Sequence, residues 1–331
     1  MADFAHYRVH NDHQIAELGS ETPPNCTGKF IENMLESMEI NVLSRSADTL
    51  EFELVGVDAS LANALRRIML AEVPTVAIEH VWIQDNTSII QDEVLAHRIG
   101  LIPIKVDPSK LDPVQNEEET DINTIVFNLD VKCTEERVTL KNGREAYVNE
   151  TVYSSQLTWM PQGDQEEAFP EGVAPVHDDI VLAKLRPGQH IEFEAHCRLG
   201  VGKDHTKFSP VATASYRLLP DISFASPVTG DAARELKEMC PLQVFDIEDM
   251  GGKPTAVAAR PRDCTMCREC IRKEGWDEKV QLRRKADHFI FSVESVGQLD
   301  PAVIVKQSIA ILKEKSLKFQ AEIDDYESQQ I

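Results

Sequence analysis

Leu50, Phe52 and Leu54 alternate with Glu51 and Glu53, a period of two that predicts a strand with one buried face. The same alternation returns at Ile125, Phe127, Leu129, Val131 and Cys133, and again at Ile191, Phe193, Ala195, Cys197 and Leu199. His288 to Val296 is a fourth candidate, with Phe289, Phe291 and Val293 on one side. Strands apolar on one face only are the units of antiparallel sheets.

The period changes at two places. From about Ser60 to Glu72, Leu61, Leu65 and Ile68 recur at helical steps; Asp58 or Ser60 supplies an N-cap and Pro74 a stop. Near Pro301 a helix of about 25 residues begins, with Val305, Ile309, Leu312, Phe319, Ile323 and Tyr326 along one stripe. That stripe must be buried, since each large apolar side chain removed from water contributes roughly 1.5–3 kcal/mol. Periodicity alone does not say whether the cover is the chain's own sheet or a partner. The stretches Asp107 to Asp121 and Met160 to Asp179 lack either period and read as surface loops. The first 36 residues read as an irregular leader.

A chain of 331 residues, 42% hydrophobic, is large enough for two or three folded units. No stretch reaches the roughly 20 apolar residues that span a bilayer, and Met1 to Ser20 has no apolar core for a signal peptide. An intracellular protein is expected. The formal charge of -22, from 56 acidic and 34 basic residues, repels phosphate backbones and argues against autonomous DNA binding. It suits basic protein partners, and serves solubility equally well. Seven cysteines, an odd number without a secretory signal, point to reduced thiols or a metal site.

Two segments carry a specific resemblance. Val57-Asp58-Ala59-Ser60-Leu61-Ala62-Asn63-Ala64-Leu65-Arg66-Arg67-Ile68-Met69-Leu70-Ala71-Glu72-Val73-Pro74 resembles the α motif of RNA polymerase assembly subunits, and Asp92-Glu93-Val94-Leu95-Ala96-His97-Arg98-Ile99-Gly100-Leu101-Ile102-Pro103 continues it. Leu182 to Gln189 and His205 to Pro220 resemble the branch of that family shared by polymerases I and III. The polymerase II third-largest subunit, with its archaeal equivalent, is the nearer alternative.

The resemblance implies an α+β fold: a split dimerisation domain (37–80, with 215–239 and 274–331) interrupted by a β-rich insert domain (81–214) and a small ferredoxin-like cysteine insertion (240–273). It implies a non-catalytic subunit that heterodimerises with a small α-like polymerase subunit, and a platform for the second-largest and largest subunits. Leu61, Leu65, Ile68, Val305, Ile309, Leu312, Phe319 and Ile323 are then the dimerisation residues, and Asn63, Arg66 and Arg67 touch a large subunit, where an arginine fork suits carbonyls and carboxylates. Without the resemblance, Arg66 and Arg67 read as solvated. Promoter contact of the bacterial kind is not expected, and no membrane contact is. The acids from Glu117 to Asp121 read as a solvated charge run rather than a magnesium site. Nuclear and nucleolar residence follows from the resemblance alone, since no basic import run is present.

Cys264, Cys267 and Cys270 stand at steps of three, with Cys240-Pro241 upstream. The arrangement is similar to half a bacterial ferredoxin site, in which three closely spaced thiolates and one distant Cys-Pro hold a cluster. Some archaeal and eukaryotic members of the polymerase family carry such an insertion and others lack it, which implies a structural or regulatory [4Fe-4S] or [3Fe-4S] cluster. A four-cysteine zinc site and no metal at all remain open. Cys133 and Cys197 read as core residues, Cys26 as part of the leader, and His97 and His205 as structural histidines. Two other classes, an iron-sulfur electron-transfer protein and a free-standing β-rich adaptor, leave the two α-type segments without a purpose. No strand with a Gly-x-Gly-x-x-Gly turn supports a redox enzyme.

Overall fold

The computed structural model describes residues 7–10, 14–17, 29–114, 118–139, 143, 145–249 and 252–328. Six helices occur among them: α1 (Lys29–Ser37), α2 (Ala59–Ala71), α3 (Asp92–Gly100), α4 (Gln165–Ala168), α5 (Asp231–Met239) and α6 (Pro301–Ser328). With several sheets they make a mixed α and β protein of two compact units. One draws on Met1–Ser44, Glu51–Asn63 and Ser215–Ser292, the other on Arg45–Leu50, Ala64–Ala214 and Val293–Ile331. No helix among the described residues is long and apolar enough to cross a membrane.

The first unit is built on a six-stranded sheet. Gln14–Glu17, Tyr7–His10, Val280–Ser295, Thr49–Val55 and Glu39–Arg45 follow one another across it, and Val211–Phe224 also pairs with Val280–Ser295. The leader therefore is not irregular throughout: it contributes two short strands and α1. Cys26 lies outside the described residues. The expected alternation holds for Phe52 and Leu54, which are buried, and Phe52 stacks on Phe291 at 4.9 Å. Tyr216 meets Phe289 edge-on at 5.2 Å, a favoured aromatic geometry. Glu53 departs from the pattern. It was expected on the solvent face and is only 1% exposed, because Arg262 from outside the sheet covers that face.

The rest of the unit is a small module with its own core. Phe245–Asp249 pairs with Pro254–Ala258 as an antiparallel hairpin, and α5 turns Ala233 and Leu236 inward. Val244, Phe245, Ala256, Trp276, Val280 and Leu282 join them, together with Cys240 and Cys270.

The second unit centres on a four-stranded sheet in the order Thr158–Met160, Thr124–Lys132, His190–Val201, Pro74–Asn86. Its neighbours pair antiparallel, as one-faced strands favour. Ile125, Phe127, Leu129, Val131, Ile191, Phe193, Ala195 and Cys197 form the buried face, as their period predicts. Cys133, one residue past its strand, is buried too, and Leu199 is half-buried. Leu95 and Ile99 of α3 pack into the same core.

Asp58 caps α2 as expected, its carboxylate accepting from Ser60 N at 2.8 Å; hydrogen bonding from the Ser60 side chain first, and from its backbone amide, holds the Asp58 pKa below its ordinary value. At the other end of α2 only glycine fits at Gly202, where a Cβ would collide with the Leu70 carbonyl while Lys203 N donates to Ala71 O at 2.8 Å. Asp300 starts α6, accepting from Ala302 N at 2.7 Å and pairing with Arg45 at 2.8 Å. The expected loop 160–179 contains α4, whose Gln165 side chain is buried and donates to Asp121 O and Thr124 O.

Candidate functional site

The four singled-out cysteines come together in the module of the first unit. Cys240, Cys264, Cys267 and Cys270 line one cavity of about 10 Å³, walled by Leu242, Val244, Phe245 and Leu282. Cys240 follows the end of α5, and the other three sit on a loop of short 3-10 turns. Two non-glycine residues of that loop are left-handed, Met266 at φ 59° and Arg268 at φ 65°. Backbone strain of this kind persists where the surroundings require it; in that loop Met266 N donates to Cys264 Sγ, and after the left-handed Gln243 (φ 52°) Val244 N donates to Cys240 Sγ, both at 3.4 Å.

Electrostatics place the thiols in one another's field. Burial pushes the Cys270 thiol up to about 12, with Cys264, Cys240 and Cys267 adding to the rise. Burial likewise raises Cys264, with further contributions from Cys267 and Cys240. Sulfur donors, N–H groups aimed at them and apolar walls are the chemistry of a thiolate-held metal. The enclosed space is small, however, and no group of three or more His, Cys, Asp or Glu among the described residues is arranged to hold an ion. The donor set fits such a centre; the spacing of the sulfurs as free thiols does not form one.

The loop is fastened to the sheet by a group that reading the sequence missed. Arg262 donates Nε to Glu53 Oε1 at 2.5 Å and Nη2 to Glu53 Oε2 at 3.0 Å, and His288 Nε2 lies 3.3 Å from the same carboxylate. The Arg262 hydrogen bond holds Glu53 below the usual carboxylate value, against the effect of burial. Arg217 adds a bond to Arg262 O at 2.7 Å. Nothing in the alternation Leu50 to Val55 marks Glu53 as different from Glu51; the nearness of Arg262 to Cys264 is the only hint.

The proposed dimerisation residues divide into three groups. Leu65 and Ile68 are 8% and 3% exposed and belong to this chain's own core. In the free chain α2 turns this stripe inward along with Ala62 and Met69. Leu61, Val305 and Leu312 are half-buried. Ile309, Phe319 and Ile323 are 45%, 66% and 44% exposed, and Leu317 and Tyr326 are exposed beside them in the sequence. Only Pro301, Ile304 and Ser308 of α6 are buried. Beyond Leu312, α6 therefore carries large apolar side chains that no other described residue covers, while Lys315 of α6 pairs with Glu72 at 2.7 Å.

Arg67 is exposed, and Asn63 and Arg66 are half-buried and engaged in the chain's own contacts. His97 and His205 both line a cavity of about 230 Å³ with Glu79 and Lys207. His205 has a local task, its Nδ1 accepting from Lys207 N at 3.1 Å. The acidic run is not simply solvated. Glu119 binds Arg198 and, at 2.6 Å, His196, while Glu117 lies outside the described residues. Cys197 is fully buried, and burial raises its thiol pKa strongly.

Comparison with known proteins gives a consistent picture. The RNA polymerase Rpb3/Rpb11 dimerisation domain matches residues 51–316. DNA-directed RNA polymerases I and III subunit rpac1 of Dictyostelium discoideum is 52% identical over 284 residues, 85% of this chain and 80% of that protein. The subunit RPAC1 of polymerases I and III from Mus musculus is 50% identical over 318 residues, 93% of this chain and 92% of that protein. DNA-directed RNA polymerase II subunit rpb3 of Dictyostelium discoideum is 33% identical over 304 residues, 88% of this chain and 97% of that protein.

Proposed function

The chain belongs to the RNA polymerase Rpb3/Rpb11 dimerisation-domain family, and from that premise we propose that it is the larger α-like subunit common to RNA polymerases I and III. One observation carries the choice within the family: identity of 52% and 50% to polymerase I and III subunits, against 33% to a polymerase II subunit over a comparable span. Its work is assembly rather than chemistry. The uncovered face of α6, from Ile309 through Ile323, receives the small α-like subunit, and the heterodimer offers a platform to the second-largest and largest subunits, with Arg67 on the exposed side of α2. Two parts separated in the chain, before and after a β-rich insert, make up the dimerisation domain in this reading. The protein works in the nucleus, including the nucleolus.

Affinity purification of the tagged chain from its own cells in high salt, with mass spectrometry of the large subunits that follow, tests the assignment. Recovery of both polymerase I and polymerase III cores is the expected result. Recovery of the polymerase II core alone overturns it.

The cysteine module is the second element of the proposal. Cys240, Cys264, Cys267 and Cys270 would hold a [4Fe-4S] or [3Fe-4S] cluster or a zinc ion, and such a centre would tie the end of α5 to the loop as a structural cross-link. Four convergent thiols with amide donors on two of them support this reading. Iron, acid-labile sulfide and zinc analysis of anaerobically purified protein separates the metals. A full-length, folded protein with none of them sinks this part of the proposal.

A further inference from the structure

Glu39–Arg45 ends the six-stranded sheet, and all 7 of its residues are exposed. Ile40, Val42 and Leu43 are 55%, 62% and 40% exposed. An edge strand presents unpaired main-chain groups, which proteins blunt with lysine, proline, bulges or a covering segment. The long edge of the second unit is blunted in this way. Pro74–Asn86 pairs with bulges at Glu192/Phe193 and His196/Cys197, and side chains take its main-chain acceptors, Gln298 Nε2 at Val76 O (2.9 Å) and Lys207 Nζ at Ile78 O (2.8 Å). Glu39–Arg45 contains neither lysine nor proline, and no strand among the described residues pairs with its outer side.

The strand is also complementary to itself. Ser46 N donates to Thr49 O at 2.8 Å across the hairpin, and Ser44 Oγ donates to Glu51 Oε2 at 3.4 Å. Main-chain groups point to alternate sides along a strand, so Ser44, Val42 and Ile40 turn theirs to the neighbouring Thr49–Val55, and Glu39, Asn41, Leu43 and Arg45 turn theirs outward. A second copy laid antiparallel, with the two-fold axis at Val42, pairs every outward residue: Leu43 with Asn41 of the second copy, and Glu39 with Arg45 of the second copy. Val42 then meets its own counterpart at a position without hydrogen bonds, where facing side chains stand closest. Glu39 and Arg45 are the only charges of the strand, and opposite charges directly across a sheet attract. Arg45 pairs with Asp300 through Nη2 alone and is 58% exposed, so its fork has donors left for a second carboxylate.

We propose that the free chain associates with a second copy of itself through this edge, as an isologous dimer whose sheet runs on from one copy to the other. The net charge of -22 opposes association, but at physiological salt a charge acts over about 8 Å, and the strand itself is neutral. The edge uses none of the α6 face assigned to the small α-like subunit, so the dimer stands or falls independently of that assignment.

Sedimentation velocity of the full-length chain in about 0.15 M salt, at concentrations up to about 100 μM, tests the proposal. A monomer–dimer equilibrium is expected. Glu39→Arg and Arg45→Glu should each weaken it about tenfold, since each sets like charges opposite one another at both ends of the pairing. An equimolar mixture of the two variants should associate as the wild type does, because every facing pair is again opposite in sign. Val42→Lys, at a 62% exposed position, should leave the chain monomeric, and it carries the decision if Arg45→Glu, which faces Asp300, does not fold. Phe319→Asp should leave the dimer intact. A monomer throughout, a dimer indifferent to Val42→Lys, or folded charge variants that do not recover on mixing overturns the proposal. A dimer lost in Phe319→Asp and kept in Val42→Lys overturns it in favour of self-association through α6.

Discussion

Replacing Arg262 by alanine removes the bidentate partner of a carboxylate that is 2% exposed, while the guanidinium itself is 57% exposed. Breaking a buried pair by deleting one partner costs about 3–5 kcal/mol. Here one end reaches water and His288 stays 3.3 Å from Glu53, so the expected loss is about 2–3 kcal/mol. Trp276 is 5% exposed in the same unit, and with Trp82 and Trp159 changed to Phe its fluorescence reports unfolding in urea. The pair also sets a pH dependence. Arg262 lowers the Glu53 pKa below 4.5, so its contribution is fully present above that value and is lost as pH falls through the folded-state value. In Arg262→Ala the bare carboxylate is destabilising while ionised, and the difference between wild type and variant narrows as pH falls below 4.5. Adding Glu53→Gln to Arg262→Ala should recover part of the loss, because no buried charge is then left alone. A loss under about 0.5 kcal/mol, or a gap that stays constant on acidification, would refute the account.

Phe319→Asp should abolish co-purification with the small α-like subunit while leaving the melting temperature of the free chain unchanged, since Phe319 is 66% exposed; Leu312→Asp, at a half-buried position, should do the same with some loss of stability, and normal binding by both would end the assignment of that face. His190 sits between Asp130 at 2.7 Å and Asp85 at 2.8 Å, whose bonds, Asp130 first, raise its pKa above 6.5. Its ion pairs therefore add stability fully below pH 6.5 and lose it as pH rises through the raised value; His190→Gln should flatten that part of a stability–pH curve, and an unchanged curve counts against the pairing. Gly202→Ala should destabilise by about 1–3 kcal/mol, read by urea denaturation, because the Leu70 carbonyl occupies the place of its Cβ.

Much of the scaffold was legible along the chain. Phe127, Phe193 and Phe291 announce their strands by alternation, and Asp58 and Pro74 bracket α2, because burial on one face and the capping of backbone donors are local rules. The spacing of Cys264, Cys267 and Cys270 singled out one loop, and these residues line one cavity with Cys240. The fate of an apolar stripe was not legible. Leu65 and Phe319 occupy equivalent places in their periodicities, yet one is 8% exposed and the other 66%, since periodicity records that a face is apolar and not what lies against it. Glu53 and Gln298 were equally silent. A strand rule sends Glu53 to water, and only the arrival of Arg262, 209 residues away, makes its burial tolerable; no local pattern marks the Gln298 oxygen, which is buried with no donor among the described residues. Sequence alone determined which segments fold and which faces must be covered, because those depend on neighbours within a few residues. Tertiary structure decided which charges are buried and which apolar faces stay open, because those depend on groups brought together from distant parts of the chain.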